Sequence, residues 1–150
     1  MNTASKTMST ETLLGEMYKM TKMGADSITD ILSRTKTGAF RDELTRQLDG
    51  YEKYAKQMAD ALYDKGEEPK EENIMKKMGA KIGTAMNTMS DSSESHLAQM
   101  VIEGDTMGIT EMTRLVRENE NGNCSEESLA LSREVIRFLE DSVERTKKFL

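Results

Sequence analysis

Few side chains in this 150-residue chain have types that suit chemistry: one His, one Cys, thirteen Met and four Tyr, beside 27 acidic and 21 basic residues. His96 and Glu103 are seven residues apart, so on a helix they share one face, to the side of its apolar stripe. An imidazole and a carboxylate so placed could form half of a mononuclear metal site or an acid–base pair. A nearby helix N-terminus disfavours the imidazolium, so the neutral ring is expected. The plainer reading, a solvated pair at a helix edge, is preferred. Met17, Met20 and Met23 present thioethers, which favour Cu(I). Steps of three residues turn backwards around a helix, however, and Met23 leaves the face that Met17 occupies. Met75 and Met78, and Met86 and Met89, pair in the same way on an apolar stripe. Methionine also fills irregular gaps in a core, and packing is its simpler role.

Gln47 and Tyr51 project into an apolar stripe. They could read a ligand, or satisfy each other or a backbone group in the core. Cys124 follows a Gly122 turn with no base near it in sequence, and an inert thiol is expected. Gly104 and Gly108 are four apart within an apolar pattern. Each costs about 1 kcal/mol against Ala in a helix, so close approach of another helix is the expected compensation. They are the candidate helix-packing residues.

Composition removes whole classes of function. A lone Cys leaves no disulfide framework and no CxxC zinc site. A net charge of −6 disfavours nucleic acid and anionic membranes as partners, because phosphates are bound by a basic surface. There is no apolar run of the ~20 residues that a membrane span needs, and no secretory-signal core; a cytoplasmic protein is expected. No phosphate-binding Gly loop, nucleophile elbow or His-centred triad occurs. The serines lack an adjacent base and read as helix caps. An enzyme is not expected.

Helices carry these groups, since one Pro leaves little turn punctuation. The spacing predicts a single domain of five helical segments after a frayed start over residues 1–8. The first runs from Ser9 or Thr10 to about Ser33, and the second from about Ala39 to Lys65, with Gly66 closing it. The third runs from about Pro69 to Met89. Asp91 and Glu94 have capping-box spacing before a fourth, which ends near Asn119. Ser125, Glu126 and Glu127 open the fifth. Every segment is amphipathic. Short links make the first two segments, and the last two, antiparallel hairpins. The third segment, ~30 Å long as a helix, can climb back along the bundle. The expected fold is therefore an all-α, ferritin-like four-helix bundle with a crossover helix between helices 2 and 4; a plain up-down bundle of five helices is the alternative.

The segments LTRQLDGYEKYA (44–55), EEPKEE (67–72) and ESHLAQMVIEGDTMGITEMTRL (94–115), with the NCSEESLALSREVIRF stretch, resemble small uncharacterised ferritin-like bundle proteins of anaerobic Firmicutes. That resemblance implies the fold and carries no activity with it. Such a fold raises a di-iron site, which needs four inward carboxylates and two Glu-x-x-His motifs. The single His and the lack of any such motif weigh against it. On a helical projection Asp26 and Asp30 point away from the stripe, Glu43 lies at its edge, and Asp49 and Glu52 face outward. Glu134, Glu140 and Glu144 lie off the arc as well, so no carboxylate is expected at the centre of the core. The leading expectation is a non-catalytic bundle acting by self-association, as a homodimer, or by binding a protein partner. The alternatives are a Met-lined carrier of an apolar ligand or soft metal, and a degenerate metalloprotein around His96 and Glu103. No cofactor is expected, with iron, manganese, zinc and copper left for measurement.

Overall fold

The computed structural model describes residues 8–70 and 91–150. Among these residues it is all-helical: α1 (Thr10–Leu32), α2 (Ala39–Asp64), α3 (Glu94–Asn119), α4 (Glu126–Thr146), and a closing 3-10 turn at Lys147–Phe149. The third predicted segment lies almost wholly outside the described residues, so α3 and α4 are the fourth and fifth predicted ones. Pro69 and Lys70, where that segment was expected to begin, are not helical.

Local chemistry sets the helix ends. Ser9 accepts from the Thr12 N–H at 3.1 Å and starts α1. α1 has no basic residue in its last turn. Arg41 of α2 supplies the missing charge from outside, donating to the carbonyls of Leu32 at 2.9 Å and Thr35 at 3.0 Å. α2 ends as the sequence predicts. Gly66 takes φ 78°, its N–H reaches Tyr63 O at 2.9 Å, and the Glu67 N–H reaches Leu62 O at 2.9 Å. This is a Schellman closure, which needs a left-handed residue at that point. The start of α3 differs from the predicted capping box. Ser93 accepts from the His96 N–H, while Asp91 accepts from the Ser93 N–H at 2.8 Å and holds the cap itself. Ser125 caps α4 by accepting from the Ser128 N–H.

Contacts between helix ends give the directions. Lys65 lies 3.8 Å from Glu11, so α2 finishes where α1 begins. Residues 1–7 of the predicted frayed start lie outside the described residues. Met8 is tied down: its N–H donates to Asn119 at 2.7 Å, and its carbonyl accepts from Cys124. The Ser125 N–H reaches Thr10 at 2.8 Å, which places the α3–α4 turn at the same end. At the other end Phe149 packs against Phe40, the rings tilted at 51° with centroids 5.1 Å apart. α2 and α3 therefore run the same way, and residues 65–93 connect opposite ends. α1 packs on α2 and α3, and α4 on α3 and α2. α2 and α3 face each other across the diagonal.

The core is built from Leu14, Met17, Leu44, Met58, Leu97, Met112, Leu129, Val135 and Leu139. Met17 and Met58 are core residues; Met20 and Met23 are half-buried. Met75, Met78, Met86 and Met89 lie outside the described residues. Between the apolar side chains sit Thr21, Ser132, Ser142 and Thr146, all fully buried. Each donates its hydroxyl to the carbonyl four residues back, at 2.7–2.8 Å. Such back-bonding lets a small polar residue enter a core without an orphaned donor. No helix among the described residues is long and apolar enough to cross a membrane.

Candidate functional site

The polar groups of the interior gather where α2, α3 and α4 meet. Spacings of four residues put Glu43, Gln47 and Tyr51 on the inward side of α2. α4 brings Ser142 and Thr146 to the same layer, and α3 brings Asp105. Glu43 and Asp105 correct the expectation that no carboxylate enters the core, for both are buried.

Glu43 is saturated with donors. Arg46 reaches it through Nε at 3.0 and 3.1 Å and through Nη2 at 2.8 Å, and Gln47 Nε2 donates at 2.9 Å. Arg145 stands 3.8 Å away. Arg46 is held in turn by Ser142 at 3.2 Å and lies over the Phe138 ring. Gln47 and Tyr51 are both buried, but they do not bond each other. Gln47 Nε2 also donates to Thr146 Oγ1 at 2.9 Å, and its Oε1 is buried with no donor among the described residues. Gln47→Met removes the unpaired acceptor but also the Nε2 bonds to Glu43 and Thr146, so unfolding in denaturant should show a small net loss, about 1–2 kcal/mol; a loss above about 4 kcal/mol would mean that a donor serves Oε1 as well.

Tyr51 extends across the core. Its ring meets Phe138 edge-on at 5.3 Å and lies against the bare backbone of Gly24, and its hydroxyl donates to Asp105 Oδ1 at 2.5 Å. Asp105 Oδ2 is buried and has no donor among the described residues. Burial pushes the Asp105 carboxyl up to about 7. The Tyr51 hydrogen bond and the charge of Arg46 pull it down, and the charge of Glu43 pushes it up. The Tyr51 hydroxyl is raised well above its ordinary value, by burial first and then by Asp105. Tyrosine therefore keeps its proton, and the carboxyl is the member of the pair that titrates near neutrality. Chemically, the layer can bind and release one proton inside the bundle.

The other predicted residues are not drawn together. His96 is half-buried and Glu103 is exposed; Glu103 accepts from Gln99 at 2.9 Å, and no hydrogen bond or ion pair joins it to His96. Among the described residues no three His, Cys, Asp or Glu side chains are grouped to hold a metal. Cys124 donates to the Met8 carbonyl at 3.2 Å, and burial, with the charge of Glu11, raises its thiol. Gly104 is exposed, and a Cβ there would meet nothing within 4 Å, whereas one on Gly108 would approach Leu139 Cδ1 at 3.2 Å. Among the described residues the tightest approaches are at Gly24, under Tyr51, and Gly50, under Phe138, with Leu139 against Gly108 less close. Gly79 and Gly83, on the third predicted segment and so candidates for the helix that approaches Gly104 and Gly108, lie outside the described residues.

Asp105 is the residue that the sequence reading missed. An arc drawn through the apolar pattern that holds Gly104 and Gly108 passes over it. A strict alternation of three and four residues through 98, 101, 105, 108, 112, 115 and 119 would have found both Asp105 and the buried Asn119. Fold and site together define an all-α helical bundle with a buried polar layer. No family model, curated protein or solved structure matches the chain at a significant level.

Proposed function

We propose that this chain is a ferritin-like helical bundle that acts by association, with a second copy or a protein partner, and not by catalysis. Two antiparallel hairpins whose inner helices run parallel, joined through residues 65–93, support the ferritin-like order with a crossover. The observation that carries the association reading is the outer face of α3. There Met107 is 58% exposed beside the open backbone of Gly104, one and two turns from Met100. A large exposed apolar side chain next to a bare backbone offers a second helix both contact area and close approach.

Sedimentation across a concentration series tests this reading. The wild-type protein should be a dimer, and Met107→Glu should be a monomer that keeps its helix content and unfolds cooperatively, at a melting temperature that no longer rises with concentration. A wild type that stays monomeric at every concentration and retains no protein partner would overturn association. Elemental analysis of protein purified without a His tag belongs beside it. Stoichiometric iron, manganese or zinc would favour the metal reading at His96 and Glu103 instead.

A further inference from the structure

We propose that Asp105 is a proton-binding site that couples the diagonal helices α2 and α3, the bound proton holding the bundle closed and its release loosening α3 around Tyr51. The proposal is independent of how the bundle associates. It rests first on counting donors. An ionised carboxylate offers about four lone-pair positions, and this one receives a single hydrogen bond, from Tyr51 at 2.5 Å, with Oδ2 buried and orphaned among the described residues. A neutral carboxyl tolerates that setting far better than an anion does.

The charges around Asp105 do not change the outcome. On α2, Arg46 is the cation whose field reaches it, but its hydrogen bonds go to Glu43 and Ser142, and Glu43 opposes it. On α4, Arg145 and Asp141 face Glu43 and Arg46, while the buried Leu139, Ser142 and Thr146 carry no charge. On α1, counting back from the Met8–Asn119 contact places residues 19–26 level with Asp105. Of these Lys19, Lys22 and Asp26 are charged, and Lys19 pairs with Glu16 at 3.3 Å. On α3 itself the inward neighbours Val101 and Met112 are apolar.

The linkage has a definite sign. The folded carboxyl titrates at about 7, against about 4 in an unfolded chain. Between those values the folded state holds a proton that the unfolded state has lost, so stability falls as pH rises. The contribution is complete below about pH 4, declines by up to tenfold in the folding constant per pH unit, and is gone above about pH 7.

Denaturant unfolding of the full chain from pH 5 to pH 8 tests this, with wild type and Asp105→Asn compared at each pH. Relative to Asp105→Asn, the wild type should lose stability by up to tenfold per unit, leaving the variant the more stable at pH 8. Amide-exchange protection of α3 around residue 105 should fall over the same interval in the wild type alone. Parallel pH profiles for the two proteins would overturn the proposal. If the variant does not fold, the carboxyl carbon of Asp105 in the wild type can be titrated by NMR. A midpoint near 7 supports the site, and one below 5 overturns it. Tyr51→Phe removes the hydrogen bond that favours the anion, so it should move that midpoint upward; a downward shift would overturn the role given to Tyr51.

Discussion

Gly24→Ala lowers the stability of the bundle by about 2 kcal/mol, although alanine is the better helix former. The new Cβ would stand 2.6 Å from Tyr51 Cζ and 2.8 Å from Cδ1. The ring has no easy retreat, because its hydroxyl is bonded to Asp105 and its edge meets Phe138. Gly15, nine residues earlier on the same helix, supplies the control: a Cβ there meets nothing within 4 Å. Gly15→Ala should therefore stabilise by about 0.5–1 kcal/mol. Thermal unfolding reads both, and at this chain length the first corresponds to about 4–8 °C in melting temperature. If the two substitutions shift it the same way, the Tyr51 ring is free to move and is not the fixed bridge described above.

Glu43→Ala is expected to cost about 2–3 kcal/mol. One buried carboxylate receives four of the hydrogen bonds that organise this layer. Without it Arg46 retains Ser142 and partial access to water, and Gln47 keeps Thr146, so the loss stays below that of stranding a fully enclosed charge. A double-mutant cycle with Arg46→Met isolates the pair, and a coupling energy of about 1–2 kcal/mol is expected. A coupling near zero would make Glu43 a packing residue whose charge contributes nothing.

Much of the fold was legible from periodicity and caps. Ser9, Ser125 and Gly66 end helices as their types require, and the bounds of α2 and α3 agree with the apolar spacing to within a residue or two. The polar layer was legible only in part. Gln47 and Tyr51 stood out because they interrupt a stripe of apolar residues. Their pairing did not, because Thr146, itself on the inward stripe of its helix, and Asp105 lie 99 and 54 residues away in sequence. Side-chain pairing across that distance depends on helix rotation, and α3 is turned by about one position from its apolar arc. That small rotation moves Gly104 outward and Asp105 inward. Burial of a carboxylate runs against transfer energetics, so a hydrophobic projection cannot anticipate it. Glu43 shows the complementary case. The projection places it at the edge of the stripe, whereas in the structure it is buried and bonded to Arg46 and Gln47.

The clasp of Met8 on Asn119 and the contact of Phe149 with Phe40 have a mechanical consequence. Residues 8 and 150 leave the bundle at opposite ends, separated by roughly the length of α1, about 35 Å at 1.5 Å per residue. A label on residue 8 and one on residue 150 would therefore sit about 35 Å apart, across the full length of the bundle.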